Sequence, residues 1–130
     1  MINIFPHSIL SIIVAGIIKC YLIAHQAHSN IKLSLTYYPY KYYSSITYFI
    51  IKSRFLTSEQ MSHYLREIRT HSELANIIII GNHIDYEDLF KNHYRVFGVI
   101  DTSDHKSLRF IRDRIHFYLD GLYGLKKERD

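Results

Sequence analysis

The longest apolar run of the chain lies near its start. From Ile9 to Ala24 only one serine, one glycine and Lys19 interrupt it, and extension back to Ile4 gives about the 20 residues that a spanning helix needs. The pattern predicts that residues 1–28 form an apolar helix that anchors the protein in a membrane as a single-pass span. Lys19 opposes this prediction, but it lies toward one end of the run, where its stem can reach the interface.

Two other interpretations of this segment stay open. On a helical wheel its polar and small residues form a narrow stripe, which is typical of a mostly buried helix in a soluble domain. A signal peptide is the third possibility, although the segment lacks a basic start and the residues AHQA make a poor cleavage site. If the segment spans, the basic residues that follow it place the C-terminal part in the cytoplasm.

After residue 30 the pattern changes to strands and helices. Residues 31–37 alternate apolar and polar positions, as a half-buried strand does. A second run, Ile46–Ile51, is apolar throughout, and we expect the two strands to pair antiparallel through residues 39–45. Thr57 and Gln60 then form the capping box of a helix whose apolar side chains recur at helical spacing.

Two further strand–helix units complete the pattern. The four isoleucines Ile77–Ile80 indicate a strand buried on both faces, as in a parallel sheet. A short helix from Tyr86, a strand over Val96–Ile100 and a final helix with an apolar stripe from Leu108 to Leu122 follow. The predicted fold class is α/β: an N-terminal apolar helix followed by a small, mostly parallel sheet in the order β-β-α-β-α-β-α.

The charges support a division of the chain. The first 57 residues contain five Lys or Arg and no carboxylate, whereas all 12 Asp and Glu lie from Glu59 onward with 11 basic residues. The basic excess is therefore local and does not indicate a protein-wide nucleic-acid surface. We predict an anchor over 1–28, a small α/β domain over 31–125 and a charged tail over 126–130. The single cysteine excludes an internal disulfide.

Basic and tyrosine residues follow the apolar run closely. Amphipathic rings are favoured at the headgroup level, and interleaved lysines favour anionic lipid. The same residues also suit a tyrosine-rich pair of strands. The predicted membrane-interface residues are Lys19, Lys32, Tyr37, Tyr38, Tyr40 and Lys41.

Polar residues follow the last two predicted strands, where open parallel sheets bind ligands. The candidate catalytic residues are His83, Asp85, Asp101 and His105, since histidine and carboxylates can transfer protons or orient one another. The candidate ligand-binding residues are Asn82, Thr102, Ser103 and Asp104. The alternative is that these side chains cap helices and form turns. The nine histidines are scattered, so no metal site and no cofactor are predicted.

The absence of a recognisable phosphate loop or nucleophile motif favours a non-enzymatic function. The sequence predicts a membrane-tethered accessory or adaptor domain that faces the cytoplasm, with membrane lipid and another protein as partners. The alternative is a soluble α/β enzyme or a nucleotide- or phosphate-binding module. Nucleic acid is the least favoured partner, because basic residues interleaved with tyrosines occur without a known motif.

Overall fold

The computed structural model describes residues 2–6, 8–27, 29–34, 46–52, 56–72, 74–82, 84–91, 94–104 and 106–123. Among these residues the elements follow one another as β1 (Ile2–Phe5), α1 (Ile9–Ala24), β2 (Ile31–Leu33), β3 (Thr47–Lys52), α2 (Ser58–His71), β4 (Asn76–Gly81), α3 (Tyr86–Lys91), β5 (Gly98–Asp101) and α4 (Leu108–Tyr123).

The described strands form one five-stranded sheet in the order β2-β1-β3-β4-β5. Each neighbouring pair runs parallel, which confirms the predicted α/β fold with a parallel sheet. The predicted element order is wrong because it lacks β1. The expected antiparallel pairing of β2 with β3 is wrong for the same reason, since β1 lies between them and is parallel to both.

β1 is hard to recognise in the sequence because it is only four residues long and contains the polar residue Asn3. All of its residues are buried, and the chain turns from strand to helix between Phe5 and Ile9. Ser8 caps α1: its hydroxyl accepts a hydrogen bond from the Ser11 backbone N–H at 3.1 Å, and its own N–H donates to the Ser11 hydroxyl at 2.7 Å. The break at Pro6-His7-Ser8 therefore separates two elements, a strand and a helix, where the sequence analysis predicted one helix.

The N-terminal apolar helix exists, but the structure does not support it as a membrane anchor. Within the described ranges, no helix is long and apolar enough to cross a bilayer. Instead, α1 packs on the sheet and against α4 through Val14, Ile18 and Leu22, which are buried. A helix that covers a doubly buried parallel sheet needs the same kind of residues as a short span, so hydropathy did not separate them. The cytoplasmic location is not tested by this finding and stays a prediction.

Helices cover both faces of the sheet. Successive strand residues point to opposite faces, so Phe49 and Ile78 join α1 and α4 in one core, whereas Tyr48 and Ile79 join α2 and α3 in the other. The two central strands β3 and β4 are buried on both faces, apart from the partly exposed Asn76. The polar residues available for function therefore lie at strand ends, in loops and on the outer faces of the helices.

Polar side chains join some of these elements. The guanidinium of Arg69 in α2 donates to the carbonyl oxygens of Ala75 and Tyr94 at 2.8 and 2.7 Å, so it fixes the chain that enters β4 and β5. The Tyr21 hydroxyl of α1 donates to the Asp120 carboxylate of α4 at 2.5 Å. Burial and this carboxylate raise the pKa of Tyr21. α1 is therefore held in the fold by a hydrogen bond as well as by its apolar face.

Candidate functional site

The strand order places the expected ligand crevice between β1 and β3. In doubly wound sheets, ligands bind beyond the carboxyl ends of the strands, where the connections turn in opposite directions. The described chain there includes Phe5 at the end of β1, Pro6 directly after it and Lys52 at the end of β3. Phe5 is fully buried, and its ring meets Tyr64 of α2 edge-on at 5.3 Å between centroids. Aromatic packing therefore fills the β1 side of this crevice.

The β3 side of the crevice carries Lys52, which is only 9% exposed. Together with Ser58, Asp85 and Asp88 it lines a cavity of about 20 Å³. A cavity of this size holds one water molecule, so it does not accommodate a nucleotide. The mixture of one cation and two carboxylates also does not select a phosphate.

The predicted catalytic group is only partly described. His83 and His105 lie outside the described residues. Asp85 precedes α3, and its carboxylate accepts a hydrogen bond from the Asp88 backbone N–H at 3.0 Å. This is the contact of a helix-capping residue, which was the alternative interpretation of Asp85. A catalytic role for these residues stays a prediction.

Asp101, the other candidate carboxylate, ends β5. It accepts a hydrogen bond from the Tyr86 hydroxyl at 2.8 Å and another from the Ser103 backbone N–H at 2.9 Å. Hydrogen bonds from Ser103 and then Tyr86 hold the pKa of Asp101 below its ordinary value. Burial and the same carboxylate raise the pKa of Tyr86 to about 12. The ionised side chain of Asp101 therefore connects the turn between β5 and α4 to α3 through these hydrogen bonds.

We expect Ser103→Ala to raise the pKa of Asp101 more than Tyr86→Phe does, because Ser103 provides the larger lowering. The pKa of Asp101 is lowered by folding, so its contribution to stability is present above the ordinary carboxyl pKa and is lost as the pH falls through the folded value. Ser103→Ala should therefore reduce stability above the ordinary carboxyl pKa, and the difference from the wild type should disappear as the pH falls and Asp101 is protonated in both proteins. An NMR titration of the Asp101 carboxyl carbon measures the shift. Identical titration in the wild type and Ser103→Ala would contradict the assignment.

The predicted ligand-binding residues occupy two places. Asn82 is exposed after β4, while the Thr102 backbone N–H donates to the Gly81 carbonyl at 2.8 Å and so joins the ends of β4 and β5. A cleft of about 310 Å³ is lined in part by Asp101, Ser103, Asp104, Lys106 and Arg114. The structure thus brings Ser103 and Asp104 together in one cleft but leaves Asn82 and Thr102 out of its lining, and ligand binding by all four stays a prediction.

Membrane contacts were the other predicted kind of site, whereas no metal site was predicted. Within the described part of the chain, no group of three His, Cys, Asp or Glu side chains could hold a metal ion. Lys19 is exposed on α1 and Lys32 is exposed on β2. The other predicted interface residues lie outside the described residues, namely Tyr37, Tyr38, Tyr40 and Lys41. Their contact with lipid stays a prediction.

Comparison with known proteins gives no family assignment. No protein-family model, curated protein or solved structure matches this chain. Functional inference therefore depends on the geometry of the protein itself.

A group of aromatic side chains surrounds the open edge of β5. Phe90 is 73% exposed and Phe117 is 59% exposed, although both are large and apolar. They come from helices on opposite faces of the sheet, so the group wraps around the edge strand. We call this group the aromatic edge surface and define it as Tyr86, Phe90, Phe97, Phe117 and Tyr118.

Tyr118 connects the parts of the aromatic edge surface. Its ring lies 5.9 Å from that of Phe97 and 5.3 Å from that of Phe117 between centroids. Its hydroxyl donates to the Val99 carbonyl at 3.2 Å. A side chain at Gly98 would overlap the Tyr118 ring, so the absence of a Cβ there lets the ring lie against the strand. Next to it is a groove of about 470 Å³, lined mainly by apolar side chains that include Phe90.

Basic groups border these rings. The Arg114 guanidinium lies 4.7 Å from the centroid of Phe117 and 5.3 Å from that of Tyr118. Lys106 lies 5.0 Å from the centroid of the nearby Phe110, and Arg95 lines the same groove as Phe90. The surface therefore combines exposed rings with cations.

The sequence analysis did not identify this surface. Its members come from α3, from the chain just before β5 and from α4, which are distant in sequence and lie together around the edge strand β5. One signal was available: Phe117 falls outside the apolar stripe of α4, whose buried members are Ile111, Ile115 and Leu119. An aromatic residue off the stripe of an amphipathic helix indicates an exposed apolar site.

Proposed function

We propose that the protein is a non-enzymatic protein-interaction domain that binds an acidic, apolar segment of a partner protein at the aromatic edge surface. The proposal is carried by the exposure of Phe90, which lines the groove, and of Phe117, whose ring contacts the groove residue Tyr118. Contiguous exposed apolar surface is unfavourable in water and commonly marks an interaction site. Such a domain agrees with the accessory or adaptor role predicted from the sequence, whose membrane-associated assembly stays a prediction.

Residue type supports a protein partner. Aromatic residues and arginine are enriched at protein interfaces, where rings provide a large contact area at low conformational cost. The ring of Tyr118 is already fixed by its hydrogen bond and by contact with Gly98, so little ordering is needed on binding. The groove beside Phe90 offers room for an apolar side chain of the partner.

Charge supports an acidic partner. Arg95, Lys106 and Arg114 lie beside the aromatic rings. Asp101, the nearest described carboxylate on β5, already accepts hydrogen bonds from Tyr86 and Ser103. A segment that carries Asp or Glu around an apolar residue would thus meet cations at the rim and rings at the centre, which is the usual arrangement of an interface.

Peptide selection tests the proposal. A displayed library of random peptides is selected on the immobilised protein, and an enriched peptide is then synthesised for titration. We expect enrichment of sequences with an apolar residue flanked by Asp or Glu. Phe117→Ser and Phe90→Ser should each weaken the binding of that peptide by about 10-fold or more, since central aromatic residues dominate interface energies.

Leu74→Ser is the matched control, because Leu74 is 72% exposed in the chain before β4 and lies outside the aromatic edge surface. It should bind the peptide as the wild type does. The proposal is wrong if no acidic sequence is enriched, or if Phe117→Ser and Leu74→Ser behave alike. It is also wrong if a single-stranded oligonucleotide binds this surface in place of the peptides, with affinity that falls steeply with salt.

A further inference from the structure

The outer face of α1 is apolar although it faces solvent. Ile9, Ile12 and Ile23 are 80%, 51% and 68% exposed, and Gly16 and Cys20 are exposed with them. Lys19 is the only charged residue of the helix. We call the five residues Ile9, Ile12, Gly16, Cys20 and Ile23 the α1 stripe. They lie on one side of the helix, opposite the buried Val14 and Ile18.

The spacing of the α1 stripe is symmetric about Gly16. Ile12 and Cys20 lie four residues from it on either side, and Ile9 and Ile23 lie seven residues from it. Four residues and seven residues are about one and two helical turns, so all five share a face. Two copies of this helix in antiparallel arrangement would therefore match apolar positions along the whole stripe.

We propose that the protein forms a symmetric homodimer in which the α1 stripes of two copies pack antiparallel, with the two-fold axis at Gly16. A two-fold contact requires that residue i meets residue j while j meets i. Here Ile9 meets Ile23 of the second copy, and Ile12 meets Cys20 of the second copy. The stripe satisfies this condition without a break.

Gly16 supports the position of the axis. A glycine within a helix costs about 0.5–1 kcal/mol relative to alanine. Apart from the adjacent residues and the backbone of the helix itself, no described atom lies within 4 Å of a Cβ built at Gly16. Packing within one copy therefore does not explain the glycine. Close approach of two helix backbones at the axis does explain it, because the absence of a side chain lets the flanking isoleucines come into contact.

Charge is compatible with this arrangement. Lys19 lies three residues after the axis, so the two lysines are six residues apart along the helices, or about 9 Å. Each faces Ile13 of the other copy, whose apolar side chain can cover the lysine stem. A lipid surface would also accept exposed isoleucines, but it requires neither symmetric spacing nor a glycine at the centre. The second copy of the chain is thus the favoured occupant.

Disulfide trapping tests the axis. In a Cys20→Ala background, Gly16→Cys is expected to form a covalent dimer under mild oxidation, because residues on a two-fold axis face each other. Arg66→Cys in the same background is the control, since Arg66 is exposed on α2, on the opposite face of the sheet. It should form no covalent dimer, because the two Arg66 positions do not face each other in the proposed dimer. Circular dichroism establishes that both variants are folded.

Sedimentation equilibrium of the unmodified protein supplies the second measurement. We expect a monomer–dimer equilibrium that Ile12→Glu weakens by about 10-fold or more, since it buries a charge against apolar residues. A protein that stays monomeric at all concentrations overturns the proposal, as does equal cross-linking through Arg66→Cys. Binding of monomers to phosphatidylserine vesicles through Ile9 and Ile23, without a dimer in solution, also overturns it.

The homodimer is independent of the proposed peptide-binding function. Ile12→Glu should leave acidic-peptide binding unchanged, and Phe117→Ser should leave the dimer unchanged. Failure of one proposal therefore does not affect the test of the other.

Discussion

A protein that begins at residue 31 is expected not to fold. Deletion of residues 1–30 removes β1, which lies between β2 and β3. Ile2, Ile4 and Phe5 have no solvent exposure, and full burial of one such side chain contributes about 1.5–3 kcal/mol. The loss of these three side chains is thus comparable to the whole stability of a typical domain, about 5–15 kcal/mol. The loss of α1 adds to it. Circular dichroism and urea unfolding of the truncated chain measure the outcome.

A pair of point variants separates the role of α1 from that of β1. Ile18→Asp places a carboxylate where the side chain is fully buried beneath the helix, so we expect a loss of about 3 kcal/mol or more in the free energy of unfolding. At protein concentrations low enough to keep the chain monomeric, Ile9→Asp is the control, because Ile9 is 80% exposed at the start of α1. If the protein that begins at residue 31 unfolded cooperatively at the same urea concentration as the wild type, residues 1–30 would not be part of the fold. That result would support a separate N-terminal anchor.

Elements with strong local signals could be predicted from the sequence. The apolar run Ile9–Ala24 coincides with α1, although the helix predicted over residues 1–28 was too long. α2 begins at the predicted capping box, where Thr57 and Gln60 exchange hydrogen bonds at 3.0 and 3.1 Å. The isoleucines of β4 indicated a doubly buried strand, and the sheet places β4 between β3 and β5. These signals depend on residues adjacent in sequence, so they need no knowledge of tertiary contacts.

The strand order could not be obtained in the same way. β1 is a short strand that hydropathy merges with the following helix, and its position between β2 and β3 depends on pairing with residues about 30 and 45 positions away. Because β1 was missing from the prediction, the ligand crevice was expected at the wrong place in the sheet. Sequence patterns located it at the ends of β4 and β5, whereas the strand order locates the switch point between β1 and β3.

The candidate surfaces show the same limit. Asp85 and Asp101 were identified as polar residues at strand ends, but only the structure shows that one caps α3 and the other accepts from Tyr86. The aromatic edge surface combines Phe90 with Phe117, which belong to helices on opposite faces of the sheet. Exposure of each ring depends on how those helices cover β5. The sequence therefore shows that aromatic residues are present, but it does not show that they lie together on one surface.

Gly81→Ala is expected to reduce the free energy of unfolding by about 3 kcal/mol, through overpacking and backbone strain. Gly81 ends β4 with φ 157°, and an added Cβ would overlap the Lys52 carbonyl oxygen and lie 2.8 Å from the carbonyl carbon. That carbonyl belongs to the neighbouring strand, to which Gly81 is paired. The atoms that the added Cβ would overlap are backbone atoms of a paired strand, so a change of side-chain rotamer cannot relieve the strain.

Gly16→Ala is the matched control for this substitution. A Cβ at Gly16 meets no described atom within 4 Å outside the helix's own backbone and the adjacent residues, and alanine in a helix interior is more favourable than glycine by about 0.5–1 kcal/mol. At protein concentrations low enough to keep the chain monomeric, Gly16→Ala should therefore stabilise while Gly81→Ala destabilises. Urea unfolding measures both free energies. Equal effects of the two substitutions would mean that the close approach of β3 and β4 at Gly81 does not determine stability at the carboxyl edge of the sheet.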